Sequence, residues 1–413
     1  MVTTCDLFAY LGKRNTPVKT PEIMRDFHRR EYEYANIYRM LSNLVEENLV
    51  SKTSNGFQIK FSKKTQLLYK IISYCVDNDI NYNYLINKNF AEFISKALLK
   101  AEFTSKDFLI DSKTFKKYTE ILNNYGLIIC MSRKPFKGRI FESYLLNSIL
   151  QYFDMSILVK REKQLDLLKL IEKELKKFKN NVSKNERQYK LILEEYEIRF
   201  VHSSLFLEGN PITLPDTIKI LKQKIIPKDL RDSDVRELQN YQIALKSMMD
   251  NSIQGMKLTK EIVLNYHYLA MQHRLKIAGK IRSVAVYIKG NPNFKVAPVI
   301  QIKTLFDSLM KEYSEFTTRR HNIKEIIEFV AYFHNQFQYI HPFEDGNSRT
   351  TRLIMFHLLQ YYKIPVLDIP LGLLDKYLKN TKAYKKREDK ELQKTIQMIV
   401  LYNLKSINRR LEK

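Results

Sequence analysis

The sequence predicts a mostly α-helical protein, on three observations. Only ten glycines occur in 413 residues and tryptophan is absent, so the chain has few points where its backbone is free to turn sharply. Apolar residues recur at helical spacing along most of its length. Between Pro135 and Pro211 there is no proline, and between Gly138 and Gly209 no glycine. A composition of 44% apolar and 28% charged residues is that of a globular protein, which excludes disorder and fibrous repeats.

The N-terminal elements follow in order. Asp6 to Lys13 is a short amphipathic helix, and Thr20-Pro21-Glu22 opens a second, with proline at its first turn. From Tyr32 to Asn48, Ala35, Ile37, Leu41, Leu44 and Val45 keep helical spacing. Residues 51–59 then alternate around Asn55-Gly56, a strong hairpin signal. Helix, helix, helix, wing is the order of a winged helix-turn-helix, which residues 1–62 resemble. Residues 63–152 repeat it loosely, with a helix from Ser112 to Tyr125, a basic loop over 133–139 and Ile140-Phe141 beyond. In a DNA-binding reading, Arg29, Arg30, Tyr38 and Arg39 flank the recognition helix, and Lys134, Lys137 and Arg139 reach phosphate from the second wing. Against it, residues 1–50 carry seven basic and seven acidic groups, which leaves no electrostatic footprint.

Residues 153–202 read as a helical linker, with a break expected near Asn180-Asn181 and an apolar stripe of Leu165, Leu168, Ile171, Leu175 and Phe178. The formal charge of +25 is spread out, densest in the C-terminal half, and suits a basic surface or a polyanion partner. Three cysteines, Cys5, Cys75 and Cys130, show no metal-ligand spacing and read as small buried hydrophobes. No apolar run is long enough to span a membrane, and the N-terminus lacks a signal peptide's order. A soluble, cytoplasmic protein is the expectation.

The informative block is His341-Pro342-Phe343-Glu344-Asp345-Gly346-Asn347-Ser348-Arg349-Thr350-Thr351-Arg352. Ile326, Ile327, Val330, Phe333 and Phe337 make the run before it helical, and an amphipathic run from Leu353 to Tyr362 follows. The block is therefore a helix–loop–helix junction, its second helix starting near Asn347 or Ser348. Amides at such a helix start, freed by a glycine, cradle phosphate. Arg349 and Arg352 share a face and reach the same anion. Asp345 suits a magnesium ion shared with phosphates, and His341 is placed to take a proton from a hydroxyl. Together these residues describe substitution at phosphorus.

The block resembles the signature of the Fic family, His-x-Phe-x-(Asp/Glu)-Gly-Asn-x-Arg-x-x-Arg, at every defined position; Ser348 stands where most members have glycine. Ser204-Leu205-Phe206-Leu207-Glu208-Gly209 is similar to the family's inhibitory pattern, (Ser/Thr)-x-x-x-Glu-(Gly/Asn). Gly279-Lys280-Ile281-Arg282 and the alternation from Val284 to Ile288 resemble the stretch that leads into a β-hairpin flap, which holds a target segment by strand addition. The resemblance covers roughly residues 190–405 and implies a helical Fic core at 203–405, with the inhibitory helix at its start and a small hairpin flap. It implies AMP transfer from ATP to a Ser, Thr or Tyr hydroxyl of a protein. His341 would be the general base and Asp345 the ligand of Mg (or Mn). Gly346, Asn347, Ser348, Arg349 and Arg352 would bind nucleotide, with Val286, Tyr287 and Ile288 of the flap and Tyr384 near the adenosine. Glu208 would pair with Arg352 and restrain the reaction, or support AMP removal by positioning water.

Expected partners are ATP, a hydroxyl-bearing protein target (this chain included), DNA through the N-terminal modules, and a second copy in a homodimer. The family's phosphotransferase branch carries lysine at the position of Ser348 and lacks the second arginine, so Arg352 argues against it. Other nucleotide donors stay open, as does a DNA-binding regulator whose Fic core senses nucleotide under the restraint of Glu208.

Overall fold

The computed structural model describes residues 2–14, 16–155, 166–288, 294–366, 368–382 and 389–412. The chain divides into two compact units. One comprises Met1–Leu122 with Ser132–Glu162, the other Asn123–Met131 with Lys163–Lys413.

Along the first 155 residues one element order occurs twice. Helix α1 (Thr4–Gly12) is followed by an antiparallel bridge from Val18 to Phe57, then α2 (Thr20–Asp26) and α3 (Tyr34–Glu46). The hairpin β1 (Val50–Thr53) and β2 (Gly56–Ile59) comes next. Thr53 pairs with Gly56, so the turn residues are Ser54 and Asn55, one position before the expected Asn-Gly pair. After α4 (Lys63–Asp77) and α5 (Tyr82–Leu85), the order recurs. It runs through α6 (Lys88–Leu98), a bridge from Phe103 to Gly138, a 3-10 turn at Ser105–Asp107 and α7 (Ser112–Asn124). The hairpin β3 (Ile128–Arg133) and β4 (Phe136–Ile140), then α8 (Tyr144–Tyr152), complete it. The first repeat closes on Leu7, Phe8, Ile37, Leu41 and Leu44, and the second on the rings of Phe90, Phe93, Phe103, Phe108 and Phe115. The two stretches expected as separate domains, 1–62 and 63–152, cluster into one unit apart from 123–131.

Beyond residue 163 the second unit is helical. It contains α9 (Leu167–Lys184), α10 (Glu186–Phe206), α11 (Leu214–Ile218), α12 (Asp232–Ile253) and α13 (Lys260–Ala270). After these come α14 (Ile302–Phe316), α15 (Ile323–Ile340), α16 (Asn347–Tyr361), α17 (Leu374–Lys382) and α18 (Asp389–Leu411). Helix α16 lies at its centre, packed on α12, α13 and α15, and is buried on nearly every face from Arg349 to Leu359. Phe200 of α10 meets Phe356 of α16, with ring centroids 4.5 Å apart.

Residues 153–202 do not behave as a linker. Helix α9 packs along α18, where Glu174 receives Lys405 Nζ at 3.1 Å and Asn408 Nδ2 at 2.9 Å. The apolar stripe anticipated there buries Ile171 and Leu175 in this seam, while Leu165 lies outside the described residues. The break falls at Asn185, between α9 and α10, rather than at Asn180-Asn181, because Asn181 reaches across to Asn408 Oδ1 at 3.2 Å.

Candidate active site

The junction between α15 and α16 is built as the sequence suggested. Helix α15 ends at Ile340, and His341 caps it in the left-handed region, φ 48° and ψ 60°. Gly346 caps the start of α16, also left-handed at φ 79°, with no side chain capping the helix. The first amides of α16 thus have no intrahelical acceptor and converge on the loop, the arrangement that binds anions. The Asn347 side chain closes the loop on itself. It accepts from Phe343 N at 2.9 Å and donates to Phe343 O at 2.8 Å. What Asn347 offers an incoming anion is therefore its backbone amide. Ser348, half-buried on the first turn of α16, sits beside it.

His341 is 7% exposed. Its Nδ1 lies 3.3 Å from Gln338 O, and a carbonyl only accepts, so Nδ1 carries the proton and Nε2 keeps its lone pair. Burial holds the imidazole down to about 4 against the pull of the Gln338 carbonyl, so at neutral pH it is an unprotonated base. Behind the loop, the rings of His267 and Phe343 stack with centroids 3.6 Å apart and planes 2° apart. His267 Nε2 donates to Asp345 O at 2.9 Å, and its Nδ1 accepts from Gly279 N at 2.9 Å.

Asp345 pairs with Arg274, just after α13, and accepts from Arg349 Nη2 at 2.9 Å and Gly346 N at 2.6 Å. Burial alone would raise its pKa, but Arg349, the Gly346 amide and Arg274 outweigh it and hold the carboxyl below the usual range. Asp345 is half-exposed on the loop; among the described residues no cluster of three metal-ligating side chains occurs. A single carboxylate fits magnesium, which draws its remaining ligands from substrate phosphates and water.

Both arginines of α16 are engaged. Arg352, 1% exposed, donates Nε to Ser204 Oγ at 2.6 Å and Nη2 to Ser204 O and Glu208 Oε1, each at 2.9 Å. Ser204 Oγ in turn donates to Tyr241 OH at 2.8 Å, and Tyr241 OH donates to Arg349 O at 3.2 Å. Burial opposes the charge on Arg352, yet Glu208 more than restores it and raises its pKa. Breaking so buried a pair from one side costs about 3–5 kcal/mol, because the other charge is left alone. Helix α10 ends at Phe206, so Glu208 sits just past its last turn, where Gly209 swings the chain away at φ 90°. Arg349 pairs with Glu237 on α12 as well as with Asp345.

Arg282 was noted in the sequence only as part of the approach to the flap. Buried to 5% exposure, it donates Nε to His341 O at 2.7 Å, Nη1 to Val284 O at 2.9 Å and Nη2 to Ala297 O at 2.7 Å. The flap itself differs from expectation. Residues 284–288, including Val286, Tyr287 and Ile288, form no strand, with a bend at Val284, and Tyr287 is 90% exposed. Residues 289–293 and Tyr384 lie outside the described residues. Of the expected DNA contacts, Arg30, Arg39, Lys134 and Lys137 are exposed. Arg29 is paired with Glu33 at 3.6 Å, and Arg139 is buried in β4.

Glu237, Tyr241, Arg274 and His267 escaped the sequence reading as site residues. Each lies at least 70 residues from the part of the loop or of α16 that it touches, and none carries a local pattern that marks it.

Residues 257–359 match the family described as Fic/DOC. A protein adenylyltransferase Fic of Drosophila persimilis is 28% identical over 186 residues, 45% of this chain and 35% of that protein. The Drosophila willistoni counterpart is 26% identical over 185 residues, 45% of this chain and 36% of that protein. The match thus spans about a third of these relatives' length. A Fic domain containing signaling protein from Bacteroides thetaiotaomicron superposes with a TM-score of 0.52 at 19% identity, over 59% of this chain and 97% of that one, a likeness of fold. With the helix–loop–helix around His341 inside the matched region, residues 257–359 are a Fic/DOC-family domain.

Proposed function

We propose that this protein transfers AMP from ATP to a Ser, Thr or Tyr hydroxyl of a protein, and that Glu208 restrains the reaction. The observation that carries the reading is the pairing of a buried, unprotonated His341 with the open amides of α16, which begins six residues on. His341 Nε2 takes the proton of the attacking hydroxyl, whose oxygen bonds to the α-phosphorus as the bond to the β-phosphate oxygen breaks and pyrophosphate leaves. The α16 amides face the charge that develops there. Arg349 and Arg352 bind the remaining phosphates once their carboxylates withdraw. Asp345 would hold a divalent ion, which supplies charge neutralisation on the phosphates. The exposed Val284–Ile288 segment offers backbone and the Tyr287 ring to a target chain.

The test uses α-phosphate-labelled ATP and magnesium with a cell lysate. Label is expected on protein with Glu208→Gly, and not with Glu208→Gly/His341→Ala, with the parent chain weakly active. Equal labelling by the parent and Glu208→Gly would remove the restraint. No label in any form while ATP still binds would overturn transfer and favour a nucleotide-sensing regulator. In that second reading the repeated helix-and-hairpin order is a pair of winged helices. Exposed Arg30, Arg39, Lys134 and Lys137 would meet DNA, and a mobility shift falling steeply with salt would mark it.

A further inference from the structure

Three arginines of the site meet side-chain carboxylates. Arg274, Arg349 and Arg352 are matched by Asp345, Glu237 and Glu208, while Arg282 spends its donors on main-chain oxygens. The six paired side chains therefore sum to zero charge. A metal-bound triphosphate brings a charge of about −2. Asp345 stays, because the metal uses it. Neutrality then returns when two carboxylates leave the arginines, and the two available are Glu208 and Glu237.

Glu237 is wired to the same segment as Glu208. Its carboxylate bridges, with Oε1 on Arg349 Nη1 and Oε2 accepting from Asn210 Nδ2 at 2.9 Å. Asn210 follows Glu208 and Gly209 directly, and is 7% exposed. It also donates to Asp234 O at 3.3 Å and accepts from Ile212 N at 3.0 Å, so its orientation is fixed. Arg349 keeps a buried Nε with no partner, a donor left for a ligand.

We propose that Glu237, held by Asn210, is a second carboxylate that competes with the nucleotide's phosphates for Arg349, so that the Ser204–Asn210 segment governs both arginines. The proposal rests on the nucleotide reading of the site, but not on transfer itself. One segment then works as a two-pronged gate. Glu208 covers Arg352 directly, and Asn210 steadies Glu237 over Arg349.

Equilibrium binding of a non-hydrolysable ATP analogue with magnesium, followed by calorimetry at about pH 8 and fixed salt, tests it. Glu237→Gln keeps the shape and an acceptor for Asn210 but removes the charge. Its expected effect is an affinity gain of about tenfold, with a further gain when combined with Glu208→Gly. Asn210→Asp keeps the acceptor for Ile212 N and sets a carboxylate against Glu237, so it is expected to tighten binding in the same direction. A purely structural role would weaken binding instead. Unchanged or weaker binding by natively folded Glu237→Gln overturns the proposal, and if that variant does not fold, the same result with Asn210→Asp does so. Tighter binding with no transfer in any variant would sustain the inference and sink adenylylation. Faster transfer at unchanged affinity would do the reverse.

Discussion

Two glycines with the same backbone handedness but different surroundings allow strain and crowding to be separated. Gly346, at φ 79°, would place an alanine Cβ 2.9 Å from Met271 Sδ and 3.1 Å from His267 Nε2. Gly209, at φ 90°, has nothing within 4 Å of that position. Both substitutions meet the left-handed penalty of about 1–2 kcal/mol. The methionine end moves easily, but His267 is fixed by its stack on Phe343 and by its bonds to Asp345 O and Gly279 N. Displacing it adds roughly 1–3 kcal/mol. Gly346→Ala is therefore expected to cost about 2–5 kcal/mol and Gly209→Ala about 1–2. With about 2–4 °C lost per kcal/mol in a unit of this size, thermal unfolding should fall by roughly 4–20 °C and 2–8 °C respectively. ATP binding, followed by calorimetry, should weaken in Gly346→Ala because the loop that aims the α16 amides shifts. Equal unfolding shifts for the two variants, or unchanged ATP affinity in Gly346→Ala, would refute this account of the loop.

With the His341 imidazole held near 4, the acid limb of kcat/KM in the Glu208→Gly form is expected near that value, and a limb at about 6.5 would show that the base is not buried. Burial also lowers His267 and His357 to about 4 and His334 to about 3. Unfolding lets each take up a proton, so the stability they contribute is whole above about 6.5 and is lost as pH falls towards their folded values. Each accounts for about 1.4 kcal/mol per pH unit in that window. Urea unfolding of His357→Asn should accordingly show a slope against pH shallower by that amount; an unaltered slope would mean that His357 is not held neutral. Ser204→Ala removes the hydroxyl that Arg352 Nε uses, about 1–2 kcal/mol of the restraint, and should raise transfer several-fold, less than Glu208→Gly does. In the Glu208→Gly background, Arg282→Lys should cut kcat at least about tenfold while sparing ATP affinity, since Arg282 touches main-chain carbonyls at the loop and flap and not the phosphate-binding arginines. A matching loss of nucleotide binding would instead point to general damage.

What the sequence made legible was local. The α15–loop–α16 junction could be read because its helical spacing, its glycine and its polar block all lie within thirty residues. The partnership of Glu208 with Arg352 spans 144 positions, yet it was anticipated because each end carries its own short pattern. Glu237 and Arg274 lack such patterns. Each is one charged residue among many on a helix or turn, and only folding brings it to Arg349 or Asp345. The supposed linker was misread for a related reason. A long amphipathic helix shows which face is apolar but not what covers it, and α18 lies more than 200 residues away. The alternation from Val284 to Ile288 was read as a strand, but a strand needs a partner, and no ladder forms on the described residues there.

The three acceptors of Arg282 are all main-chain oxygens. A backbone carbonyl is the same whichever amino acid carries it, so the register between Val284, Ala297 and the histidine loop is set without reading any side chain at 284, 297 or 341. The exposed side chain of Val284 is thereby exempt from maintaining that register. It can be exchanged while the placement of His341 is inherited unchanged, because one guanidinium holds all three main-chain positions together.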